Sequence, residues 1–200
     1  MNGNSKLLTK IESLHQYKTF LYLAITGIFI LFLSMLFVFI QKSQLEQLDS
    51  FQTPKAFIFS SLLIILSSYS IQPILLLAKS EKLKAVLIRL YTCGILGLFF
   101  ILSQIIGWYE FRHSGIIMHN TQSDVLLFLI CLLHLIHFLG GFIYLSVLIV
   151  QISIANKNEI KKIIWLTDPH QILKLELFRV YWNFIDALWI GLYIVFILVF

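Results

Sequence analysis

Val125 to Ile152 reads VLLFLICLLHLIHFLGGFIYLSVLIVQI, 28 residues without one Asp, Glu, Lys or Arg. A helix rising about 1.5 Å per residue needs roughly 20 predominantly apolar residues to cross a hydrocarbon core of about 30 Å, so this run can span a bilayer with length left to tilt or protrude. It shows no sustained alternation of polar and apolar residues, and a helix satisfies its own backbone hydrogen bonds where no water is present. Outward from it, four more runs meet the same requirement: Thr19 to Ile40, Ala56 to Ala78, Ala85 to Trp108 and Leu177 to Phe200. The expected fold is all-α, an integral membrane bundle of five transmembrane helices forming a single membrane domain over residues 1–200. Pro73 falls inside the second run, where its missing N–H removes one backbone hydrogen bond and should bend the helix.

Composition points the same way. Of 200 residues 59% are hydrophobic and 12% charged, whereas a soluble domain is roughly half apolar and a quarter charged. So few charges cannot coat a soluble core. The net charge of +5 would raise nucleic acid as a partner in a soluble protein, but here the cations sit between apolar runs, and no nucleic acid is expected. Lys6, Lys10 and Lys18 precede the first run, Lys79, Lys82, Lys84 and Arg89 lie at the second connection, and Lys157, Lys161, Lys162, Lys174 and Arg179 at the fourth. These twelve stand against Lys42, Lys55 and Arg112 on the alternate side, so the positive-inside rule makes the N-terminus cytoplasmic and the C-terminus external. The first run is too long for a signal-peptide core and lacks a small-residue cleavage site, so it reads as a retained helix. Cys93 and Cys131 both lie in apolar runs and read as small buried hydrophobes rather than a disulfide.

A charge at mid-membrane costs about 2.5 to 3.5 kcal/mol on insertion scales, which singles out His134, His137 and Asp186. With the fourth span starting near Val125, the two histidines lie about 13 and 18 Å down it; Asp186 lies about 13 Å from the opposite surface along the fifth. Matching depths allow contact, so Asp186 is expected to face the bundle interior and to accept an imidazole N–H from His134 or His137. A proton relay, or a metal or haem ligand, is the sharper reading of the same three residues, but a metal site would need further ligands at that depth. Gly94 and Gly97 in the third span, and Gly140 and Gly141 in the fourth, mark expected packing faces, while Ser67, Ser68 and Gln104 can hydrogen-bond between helices. The segment from Lys157 to Lys174 mixes lysines with Ile160, Ile163, Ile164 and Trp165, as a segment lying at the membrane interface does, or is a solvated connection ended by Pro169.

These residues also carry a family resemblance. LELFRVYWNFIDALWIGLY from Leu175 resembles the terminal-helix signature of subunit III of the haem-copper oxidases, with Glu176, Tyr181, Trp182, Phe184, Asp186 and Trp189 in register. LLHLIHFLGGFIYL from Leu132 is similar to the family's paired histidines followed by glycine, through His134, His137 and Gly141. SQIIGWYEFRHSGI from Ser103 supplies Gln104, Gly107, Trp108 and Gly115, and SSLLIILSS supplies Ser60, Ser61, Ser67 and Ser68. The resemblance covers about four fifths of the chain in order. Asn183 stands where the family has His, and Leu132 and Leu135 where it has small residues; Asn keeps hydrogen-bonding capacity but does not titrate.

The resemblance implies a non-catalytic subunit of a cytochrome c oxidase in the bacterial inner membrane, part of aerobic electron transport with proton translocation. By it, the chain binds no metal or redox cofactor, with haem and copper in partner subunits; it packs against subunit I, holds phospholipid in a cleft between helix groups, and supports proton uptake and enzyme lifetime. A quinol oxidase subunit, or a homologue attached to nitric oxide reductase, shares the architecture, and the Gln-Gly-Trp variant looks more like the cytochrome c branch. Rivals of another class are a small transporter built on Asp186 and the histidines, and an assembly scaffold. Transporters often carry paired repeats with interrupted helices, whereas only Pro73 breaks a span here and no repeat is visible.

Overall fold

A computed structural model describes residues 2–45, 55–113 and 122–199, with side chains over 16–44, 56–110 and 122–199. Gly115, Phe200 and the side chains of Lys6, Lys10, Lys55 and Arg112, used in the sequence reading, lie outside the described residues. The described residues form only helices and their connections: α1 (Asn2–Leu45), α2 (Lys55–Ile71), α3 (Ile74–Lys79), α4 (Leu83–His113), α5 (Gln122–Asn156), α6 (Glu159–Thr167) and α7 (Pro169–Val199). Among the described residues five stretches are long and apolar enough to cross a membrane: Gln16–Gln44, Ala56–Lys79, Leu83–Glu110, Gln122–Asn156 and Pro169–Val199. The chain is a multi-pass membrane protein on that measure.

Hydropathy locates the spans but not where their helices start. α7 begins at Pro169, eight residues before the apolar run at Leu177. Asp168 accepts the His170 N–H at 3.1 Å, and proline follows it at the first helical position, where an absent N–H costs nothing. Pro73 does more than bend the second span. α2 ends at Ile71 and α3 starts at Ile74, with the Leu77 N–H restarting the ladder on the Pro73 carbonyl at 2.9 Å.

Burial repeats every three to four residues along α7: Leu175, Phe178, Trp182, Ile185, Trp189, Leu192 and Phe196 are all buried. α5 carries a matching series through Leu127, Ile130, His134, Phe138, Gly141, Leu145 and Leu148. A stripe averaging 3.5 residues per turn is the pattern of knobs packed between slightly crossed helices, and it puts α7 at the centre, against α1, α2 and α5. α4 packs on α2 and α5. α1 is the least enclosed; Phe32 and Phe39 are its buried apolar side chains among the described residues. Outward-facing Leu, Ile and Phe side chains are exposed along all five spans, as lipid-facing residues are.

Small residues set how closely the helices approach. A Cβ on Gly141 would stand 3.2 Å from the Tyr181 ring, and one on Gly97 3.3 Å from Phe138 and Phe142. Gly94 makes ordinary contact with Leu145. Gly140 corrects the sequence reading: nothing lies within 4 Å of its Cβ position, so it marks no packing face within this chain. The tightest approach is at Gly107, where a Cβ would fall 2.4 Å from the Phe57 ring.

Candidate functional site: a buried polar seam between α2 and α7

Asp186 is 1% exposed at the middle of α7. Its carboxylate Oδ2 accepts hydrogen bonds from Ser67 Oγ at 2.9 Å and Ser68 Oγ at 2.6 Å, both on α2. The Trp182 indole N–H, one turn away, donates to Ser67 Oγ at 2.9 Å, so Ser67 receives from one α7 side chain and gives to the next. A turn beyond, Trp189 Nε1 donates to Ser61 Oγ at 3.3 Å. Cys93 of α4 is fully buried beside the seam. Buried polar groups in lipid need partners, and here Ser61, Ser67 and Ser68 supply them to a carboxylate and two indoles.

The expected pairing of Asp186 with His134 or His137 is therefore corrected: the two α2 hydroxyls are the hydrogen-bond partners of the carboxylate. Depth matched, since the His134 ring lies 5.1 Å from that of Trp189, one turn from Asp186. Direction did not. Tyr181 and Ile185 lie against Gly141 of α5, and one more residue turns the side chain by about 100°, which carries Asp186 round to α2.

His134 is 1% exposed within an aromatic box of Phe32, Phe100 and Trp189, and neither ring nitrogen has a hydrogen-bond partner. His137 is half-buried and lies edge-on to Phe32; its Nδ1 is 2.7 Å from the Leu133 carbonyl, to which it donates. Tyr181 Oη donates to the His137 carbonyl at 3.2 Å, tying α7 to α5. Gln104 is buried on α4 with its amide Nε2 unpartnered. Asp186 Oδ1 is unpartnered too.

The remaining singled-out residues lie apart from this seam. Asn183 accepts a long hydrogen bond from Gln72 at 3.5 Å, on an exposed edge. Glu176 pairs with Lys18 of α1 at 2.7 Å, each side chain more than a third exposed. Trp108 packs edge-on against Phe128. Among the described residues no three His, Cys, Asp or Glu side chains gather as metal ligands would.

Sequence reasoning took Trp182 and Trp189 from the motif without asking what their N–H groups needed. Two indoles two turns apart on one helix require acceptors about two turns apart on a facing helix, and Ser61 and Ser67 on α2 offered them. An apolar groove of about 330 Å³ also runs between α1 and α7, lined by Phe29, Phe32, Leu36, Phe184, Leu188 and Gly191 among others. No protein-family model and no curated protein matches this chain.

Proposed function

We propose that this chain is the non-catalytic subunit III of a haem-copper terminal oxidase of the cytochrome c type, in a bacterial inner membrane with its N-terminus cytoplasmic and its C-terminus external. The observation that carries the reading is the co-location of its motif residues: Ser67 and Ser68 from one motif and Trp182 and Asp186 from another meet in one hydrogen-bonded seam. His134 and Gly141 of a third lie against Trp189 and Tyr181. Residues drawn from separate motifs of the sequence and meeting at one place support reading those motifs together.

In this reading the chemistry belongs to the assembly. Electrons from cytochrome c reduce oxygen to water at haem and copper held by subunit I, and this chain packs beside that subunit, holds phospholipid, and supports proton uptake and the lifetime of the enzyme. The α1–α7 groove is apolar along its length, as an acyl chain requires. The exposed apolar faces of the spans leave ample surface for both lipid and a partner subunit.

Affinity isolation of the chain from its native membrane in mild detergent, with mass spectrometry and a reduced-minus-oxidised haem spectrum, tests the proposal. The expected result is co-isolation of a haem protein, whose haem type and companion subunits separate a cytochrome c oxidase from a quinol oxidase or a nitric oxide reductase. Isolation of the chain alone and colourless, under conditions that keep the oxidase intact, overturns it in favour of a transporter or an assembly scaffold.

A further inference from the structure

The connection between α5 and α7 encloses a second cavity, of about 230 Å³, lined by Gln151, Ile154, Lys161, Trp165, Asp168 and Gln171 among others. Its chemistry is one-sided. Lys161 and Trp165 stand four residues apart, on one face of α6. The Lys161 ammonium is exposed and makes no ion pair among the described residues, whereas Lys162, on another face, pairs with Glu159 at 3.3 Å. Trp165 is only 7% exposed, yet its indole N–H has no acceptor.

Lys174 adds a second cation at the edge, reaching Gln151 Oε1 at 3.5 Å and Gln171 Oε1 at 3.3 Å. With those oxygens turned to Lys174, each glutamine keeps its amide N–H₂ as a donor. Asp168 is the acidic residue of the lining, and its Oδ1 is engaged with the His170 N–H at the start of α7. The cavity thus sets several donors beside one carboxylate, with a buried indole N–H that needs an acceptor.

We propose that this cavity binds the phosphodiester of an anionic phospholipid, with Lys161 and the Trp165 N–H as its principal contacts. The same helix argues for a lipid source. Ile160 and Ile163 project from α6 on a different face from Lys161 and Trp165, Ile164 lies at the cavity lining beside them, and all three isoleucines are exposed. A short helix joining the ends of two spans, with an apolar face of this kind and lysines beside it, lies at the boundary between acyl chains and headgroups. A phosphate at that depth comes attached to a lipid. The site is separate from the α1–α7 groove and does not depend on the oxidase reading.

Native mass spectrometry of the purified chain, or of its intact complex, titrated with phosphatidylglycerol and with phosphatidylcholine, tests it. Wild type is expected to retain one phosphatidylglycerol in preference to phosphatidylcholine. Lys161→Gln should weaken that binding about five-fold, the worth of one lysine near a membrane surface, and Trp165→Phe should weaken it while keeping the ring. Lys162→Gln, on a different face, should leave it unchanged. Equal phosphatidylglycerol binding by wild type, Lys161→Gln and Trp165→Phe overturns the site, as does an equal loss from Lys162→Gln, which would mean unspecific attraction. Displacement of the lipid by excess inorganic phosphate overturns the lipid as the source. Because Lys161 is exposed, its variant folds independently of the outcome, and melting temperatures in phosphatidylcholine nanodiscs check that Trp165→Phe does so too.

Discussion

At the scale of single residues, the bundle depends on how a few buried polar and small side chains are matched. Ser68 gives Asp186 one hydrogen bond, whereas Ser67 both donates to Asp186 and accepts from Trp182. Interhelical hydrogen bonds in membrane proteins average about 0.6 kcal/mol and reach about 1.7. Ser68→Ala should therefore cost about 1 kcal/mol of stability in detergent, and Ser67→Ala more, because it strands an indole N–H as well. In a double-mutant cycle, Ser68→Ala and Asp186→Leu should couple, while His134→Leu and Asp186→Leu should add; the reverse pattern would restore histidine as the partner of the carboxylate. Glycine substitutions probe packing instead. Gly107→Ala drives a methyl into the buried Phe57 ring, itself held edge-on to Trp189 at 5.4 Å, and should cost about 1 to 3 kcal/mol, against almost nothing for Gly140→Ala. Thermal unfolding of both variants checks the difference. That Asp186 would be buried at mid-span was legible, because hydropathy and helical rise give depth. Its partner was not, because azimuth depends on which helix packs on which side, and a single sequence does not state the order of helices round α7.

At the scale of elements, the apolar runs gave all five spans, and the misses fall at their ends. The α7 start at Pro169 was written in Asp168-Pro169, a cap followed by a residue suited to the first turn, but attention to hydrophobic length alone passes over it. Pro73 was visible as a disturbance, and the structure makes it a full interruption between α2 and α3. The turn after α3 was not legible at all. Glu81 has φ 58°, and the Lys82 N–H reaches back to Leu77 O at 3.0 Å while the Glu81 N–H reaches Ala78 O at 3.1 Å. That is a Schellman closure, which ordinarily takes glycine because an L side chain is crowded in the left-handed region. Glu81→Gly should thus raise the melting temperature, by an amount corresponding to at most about 1 kcal/mol. A fall would mean that the glutamate side chain stabilises the turn by more than its backbone costs.

At the scale of the whole molecule, the proposed orientation rests on where lysines and arginines lie, and burial of the thiols makes it testable. Connections at the same end as the N-terminus hold most of the cations, including the α3–α4 turn with Lys79 and Lys82 and the α5–α7 connection with Lys157, Lys161 and Lys162. The positive-inside rule retains such segments in the cytoplasm. Both native cysteines are buried within the bundle, Cys93 completely and Cys131 nearly so, and a thiol enclosed in packed helices in lipid meets no aqueous reagent. The wild-type chain therefore provides its own blank for single-cysteine labelling. Glu81→Cys or Lys157→Cys should react with a membrane-impermeant maleimide only in inverted vesicles, and Gln52→Cys, in the connection between the first two spans, only in intact cells. Labelling of position 157 from outside intact cells would invert the orientation. The α6 cavity with Lys161 and Trp165 would then face the outer leaflet, and the lipid that fills it would have to be drawn from that side.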